Sequence, residues 1–154
     1  MFNLFGRGKP GQFDIRTYKN AGKNTMLLDY YERVVGTPTE MPYYEIVLYT
    51  HSDSLAKLEE YQNGGTENET ITSWLIPLEA AQEMLTAVKN SGMAGWNGRR
   101  GTGLCGKMYV CKFPDGRDDY IRISSDNMPE NGRRAFSAVK AAMCKWMNDA
   151  YLED

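Results

Sequence analysis

The spacing of apolar positions changes along this chain, and the change separates a β-rich first half from a mixed second half. From residue 13 to residue 76 the period is mostly two, in short runs bounded by turn residues. FDIRTYK and MLLDYYERV flank the turn-like NAGKN. The second run also fits a helical face through Leu27, Tyr30, Tyr31 and Val34, but its aromatic content suits a pleated surface and favours a strand. YYEIVLYT is the clearest strand. Tyr44, Ile46 and Leu48 fall on one side and Tyr43, Val47 and Tyr49 on the other, so both faces are apolar and a central position is expected. HSDS then turns the chain into LAKLEEYQ, and NGGTEN joins that run to ETITSWLIP as a hairpin.

After Pro77 the period becomes helical. Leu78, Ala81, Leu85 and Val88 share a face, Glu79 and Glu83 lie near the positive end of the dipole, and Gly92 sits where a C-terminal cap belongs. The spacing predicts a helix over 78–91. MAGWNGRRGTGLCG is a glycine-rich connection. KMYVCKF, the turn PDGR and DYIRIS form a second hairpin. Phe136, Val139, Met143, Met147 and Tyr151 make one stripe, which predicts a last helix over 130–151.

The start of that helix, SSDNMPENGRRAF, has two readings. Pro129 takes the first helical position with Met128 extended before it, or Asn131 is the N-cap. Either way Arg133 and Arg134 lie in the first turn. There they oppose the dipole and would suit a bound anion. The element order is five strands, helix, two strands, helix. It predicts an α+β fold, a mainly antiparallel sheet of about seven strands with two helices packed on one face. Residues 1–12, with GRGKPGQ, read as a flexible arm carrying Phe2, Leu4 and Phe5, and residues 13–154 as a single domain.

GWNG, then YVCKFPDG, then YIRISSDNMPENG, then a terminal amphipathic helix resemble a group of small uncharacterised bacterial domains. Those share a Trp after a helix, a hairpin with a Phe-x-Asp-Gly turn, and a Pro before the last helix. The resemblance covers roughly residues 70–152 and implies an architecture, not an activity.

Composition adds a Tyr- and Met-rich interior. Leu, Ile, Val and Phe together number only 28 of 154 residues, while ten Tyr, nine Met and three Trp make up apolar mass. The net charge of −2 removes the suspicion of disorder that so few aliphatics would raise. Charge is segregated: net −5 over residues 1–88, +5 over 89–140 and −2 over the last fourteen. No apolar run is long enough to span a membrane, and the start is too short for a secretory signal, so a cytoplasmic protein is expected. Three irregularly spaced Cys are not a disulfide framework.

Catalytic signatures are weak. GTGLCGKM resembles a phosphate-binding loop, but Met108 replaces the Mg²⁺-ligating hydroxyl and a strand, not a helix, follows. Cys105 lies near Arg99, Arg100 and Lys107, which would lower a thiol pKa, and a Cys-dependent enzyme would need His51, the one His, as base. No close Cys or His pair suggests a metal, and no cofactor is expected. Neighbouring acids such as Glu59 and Glu60 point to opposite faces of a strand and make no acid/base couple.

Arg99, Arg100, Lys107, Lys112, Arg117, Arg122, Arg133 and Arg134, with Trp96, Tyr109 and Tyr120 among them, would suit nucleic acid. The pI of about 5.5 argues against it, and Tyr109 with Tyr120 also reads as a cross-strand pair. The remaining expectation is a non-enzymatic protein-binding or regulatory module, and a small inhibitor or accessory protein of a bacterial mobile element fits it. The expected contact residues are Trp96, Arg99, Arg100, Asn127, Arg133 and Arg134, where two loops carry the only adjacent Arg pairs, with Phe2, Leu4 and Phe5 of the arm.

Overall fold

A computed structural model describes residues 13–18, 21–36, 41–93, 106–112, 120–124, 129–147 and 151–152. The strands are β1 (Met26–Val35), β2 (Tyr43–Thr50), β3 (Leu55–Gly64), β4 (Thr70–Pro77), β5 (Gly106–Lys112), β6 (Tyr120–Ser124) and β7 (Tyr151–Leu152). The helices are α1 (Leu78–Ser91) and α2 (Gly132–Cys144), with a 3-10 turn at Ile15–Tyr18. The strands form one sheet in the order β6-β5-β1-β2-β3-β4-β7. Every neighbouring pair is antiparallel, so the fold is α+β with an antiparallel sheet.

β2 lies at the centre of that order, where its two apolar faces require it to be. Pro77 and Gly92 bracket α1 as expected. Gly92 takes the left-handed conformation at φ 76°, which a side chain would resist, and its N–H donates to the Lys89 carbonyl at 3.3 Å.

The register sorts side chains cleanly between two faces. On one, Leu28, Leu48, Leu58 and Trp74 lie side by side across four strands, flanked by Cys111, Tyr30, Ile46 and Glu60. These apolar residues join Met84, Leu85 and Val88 of α1 and Phe136, Val139 and Met143 of α2 in one buried cluster. Phe136 packs edge-on to Tyr30 at 6.3 Å and stacks on Tyr109 at 5.0 Å. The two helices therefore cover this side, the helix face. Among the described residues no helix is long and apolar enough to cross a membrane.

Three expectations need correction. Among the described residues four strands precede α1, not five, because Ile15–Tyr18 in FDIRTYK is a 3-10 turn. Asp14 Oδ1 accepts from the Arg16 backbone N–H at 3.0 Å, and the Asp14 carbonyl accepts from the Thr17 N–H at 3.0 Å. These local bonds compete with a ladder. Gln82 of α1 then clamps the turn, accepting from the Ile15 N–H at 2.8 Å and donating to the Phe13 carbonyl at 2.9 Å. The last helix stops at Cys144 rather than 151, and Tyr151 pairs instead with Leu75 at the β4 edge. Its start follows the second reading, with Asn131 at the N-cap, although the Asn131 side chain makes no capping bond. Tyr109 and Tyr120 are not a cross-strand pair. The hairpin register sets Tyr109 against Ile123 and Tyr120 against Lys112.

Candidate functional site

The alternation that fills the helix face sends a different set of residues to the other side, the far face. One row across five strands reads Lys112, Asp29, Val47, Glu59 and Ser73. The next reads Val110, Tyr31, Glu45, Tyr61 and Ile71. Arg33 stands opposite Tyr43 beyond them, and Tyr49 opposite Lys57 on the other flank. Val47 and Val110 are buried here but lie outside the core cluster that the helices share. Among the described residues no helix contributes to this face.

Its aromatic rings are organised. Tyr31 and Tyr43 stack at 5.2 Å, and the Arg33 guanidinium carbon lies 5.9 and 5.8 Å from their centroids. Lys57 Nζ lies 5.4 Å from the Tyr49 ring. Gly64 makes room for this arrangement, since a Cβ there would collide with the Tyr43 ring. Tyr61 Oη donates to Glu59 Oε1 at 3.2 Å, and Lys57 approaches Glu59 at 3.8 Å.

At the centre of the face are two carboxyl groups on adjacent strands. Asp29 and Glu45 hydrogen-bond to each other, and one must carry a proton to donate. Burial raises both, and for Glu45 burial, the bond to Asp29 and its charge push the pKa up to about 8. Glu45 therefore holds a proton near neutral pH and donates it toward Asp29. Asp29 is only 9% exposed, and its Oδ1 has no hydrogen-bond partner among the described residues.

The other two buried acids, Glu32 and Glu60, belong to the helix face and are answered. Glu32 accepts from Tyr30 Oη at 2.7 Å and Lys140 Nζ at 3.0 Å, with Lys107 Nζ at 3.3 Å. Burial opposes its ionisation, but these donors outweigh burial and hold its pKa below the usual value. Glu60 accepts from Tyr44 Oη at 2.5 Å and Gln62 Nε2 at 3.1 Å.

Of the residues expected to meet a partner, Arg133 and Arg134 are exposed in the first turn of α2 and line an open recess with Glu130 and Asn131. Phe2, Leu4, Phe5, Trp96, Arg99, Arg100 and Asn127 lie outside the described residues, as does Cys105. Burial raises the pKa of both described thiols, Cys111 and Cys144, which disfavours their thiolates. His51 borders a cavity of about 280 Å³ between the 3-10 turn and the β2–β3 turn, and its Nδ1 has no hydrogen-bond partner among the described residues. Glu59 and Glu60 do face opposite ways, as their spacing requires.

Sequence reasoning missed Asp29 and Glu45. The face of Glu45 was readable, since it alternates with Tyr43 and Val47. Its pairing with Asp29 was not, because a register shift between Met26 and Leu28 decides which β1 residue stands beside it. No protein-family model matches this chain, and no curated protein matches it significantly.

Proposed function

We propose that this protein is a non-enzymatic binding module that docks a partner protein on the far face of its sheet. The observation that carries this reading is the company kept there. Tyr31, Tyr43, Tyr49 and Tyr61 surround Asp29, Glu45 and Glu59 on the central strands, and no described helix covers them. Tyr is enriched at interface centres because it offers a large contact area and a polar tip at small entropic cost. Ile71 at the margin is 53% exposed and extends the apolar contact. A regulatory role, as a cytoplasmic inhibitor or accessory protein of a bacterial mobile element, belongs to the same reading. Nucleic acid is the weaker candidate, since the pI of about 5.5 is low for a nucleic-acid-binding module.

A second docking surface has one observation in its favour, the exposure of Arg133 and Arg134 at the start of α2. With Trp96, Arg99, Arg100 and Asn127 it would meet an acidic partner rather than a basic one.

Affinity capture from the native cell separates the two. Tyr61→Ala with Ile71→Ser should keep the fold and lose the captured protein, while Arg133→Glu with Arg134→Glu should retain it. The reverse pattern moves the site to the Arg surface. Recovery of nucleic acid alone would overturn the protein-binding reading.

A further inference from the structure

The three buried acids do not behave alike. Each is 9% exposed. Glu32 and Glu60 meet fixed donors, and burying an acid is tolerable on those terms. Asp29 is buried with one oxygen unpartnered and with a second carboxyl group as its hydrogen-bonding neighbour. Setting a half-buried carboxyl group beside a buried one costs stability, and the donor that Asp29 gains is that carboxyl group itself.

Of the far-face cations, Lys112 relieves it only in part: its charge favours ionisation of both acids, but burial outweighs it. Among the described residues no salt bridge reaches Asp29 or Glu45. Lys57 pairs with Glu59, Arg33 lies over Tyr31 and Tyr43, and Lys112 is exposed opposite Asp29. The facing groups that titrate or carry charge are therefore Tyr31 and Arg33 on β1, Tyr43 and Tyr49 on β2, Lys57, Glu59 and Tyr61 on β3, and Lys112 on β5.

The shape of the site selects among cations. Tyr31 and Tyr61 stand directly on either side of Glu45 in its row. A flat, delocalised cation meeting the two carboxyl groups would have tyrosines on the neighbouring strands to stack on while its N–H groups meet two oxygens. The face already stacks one guanidinium on tyrosine rings, that of Arg33 over Tyr31 and Tyr43. A compact ammonium would gain the charge but not the stacking. Among the described residues no group of three metal-ligating side chains occurs, so a metal ion is not the natural occupant.

We infer that the Asp29–Glu45 pair, with its buried, unpartnered Asp29 oxygen, is the subsite for an arginine side chain of the partner protein. The inference rests on the reading of the far face as the docking surface. In the free protein one carboxyl group donates its proton to the other. As the guanidinium enters, that O–H bond breaks, the proton leaves to solvent, and both carboxylates accept N–H bonds. The net charge of protein and ligand falls by the one proton released. Because Glu45 sits near pH 8 in the free protein, binding strengthens as pH rises toward that value.

The test uses the full chain and the neutral-capped peptide acetyl-Gly-Arg-Gly-amide, with acetyl-Gly-Lys-Gly-amide as comparison. Carboxyl ¹³C NMR follows Glu45 and Asp29, and calorimetry in buffers of different ionisation heat counts protons. The arginine peptide should bind with Kd on the order of 1 mM, more tightly than the lysine peptide. It should release about one proton at pH 7 and gain about tenfold in affinity per pH unit between pH 6 and 7. Glu45→Gln, which can still donate to Asp29 but has no proton to give up, should stay folded and abolish release. Carboxyl resonances unmoved well above that concentration, or binding without proton release, would overturn the subsite. If Glu45→Gln still captures the cellular partner while Tyr61→Ala with Ile71→Ser does not, the subsite fails and the docking face stands. If neither set of changes affects capture, the docking face itself fails.

Discussion

The two faces of this sheet are built from the same strands and the same residue types, yet they solve the burial of acids in opposite ways. On the helix face, Glu32 lies among Tyr30, Lys107 and Lys140, each within hydrogen-bond or ion-pair reach. On the far face, Asp29 lies beside Glu45 and keeps an oxygen without a partner. The difference follows from layering. Helix α2 crosses the first face and brings Lys140 to Glu32, whereas no described helix brings a cation to Asp29. A structural face satisfies its polar groups internally. The far face leaves one unsatisfied at its centre, the opening that the proposed partner would fill.

Truncation should separate the faces most strongly. Phe136 is fully buried between Tyr30 and Tyr109, and Phe136→Ala should cost about 3–5 kcal/mol in urea unfolding. Tyr61→Ala on the far face should cost only about 1 kcal/mol, its part-buried bond to Glu59 being replaced by water. Equal losses would mean that the far face is also core, and the comparison would collapse.

The buried acids give the next contrast. Glu32→Ala strands the Tyr30 hydroxyl and Lys140 and should destabilise by about 2–3 kcal/mol. Asp29→Asn should be neutral or stabilising by about 1 kcal/mol at neutral pH, because an amide beside Glu45 needs no shared proton. A large loss at Asp29 would show that it has a structural partner after all.

These contrasts show how much of the molecule the sequence makes legible. The position of β2 is plain from two apolar faces, and α1 from Pro77 and Gly92. The 3-10 turn at Ile15–Tyr18 is not, because its decisive clamp, Gln82, lies sixty-nine residues from Phe13 along the chain. The end of α2 is hidden for a similar reason. The stripe through Met147 and Tyr151 is helical on paper, but Trp146 Nε1 donates to Glu83 of α1 at 2.7 Å and the chain then pairs with β4. The pairing of Asp29 with Glu45 needs a cross-strand register. Periodicity assigns faces and leaves registers open.

Stability against pH should carry both signatures at a smaller amplitude. Glu45 is raised from 4.5 to about 8, so between those values the folded state holds a proton that the unfolded state has lost. Stability therefore falls as pH rises from about 4.5 through 8. Glu32 is lowered, so its contribution is present above pH 4.5 and is lost as pH falls below it. Glu45→Gln should flatten the alkaline decline and gain about 1–2 kcal/mol at high pH in chemical denaturation. A decline that persists unchanged in Glu45→Gln would assign it to another group.

The most direct measurement is a carboxyl ¹³C NMR titration of the free protein with Glu32, Glu45 and Asp29 assigned. The account predicts that Glu32 titrates below its usual value of 4.5 and that the Glu45 resonance moves with a midpoint near 8, with Asp29 sensing the same step. Coincident midpoints near 4.5 for Glu32 and Glu45 would contradict it, because the two faces would then treat their acids alike.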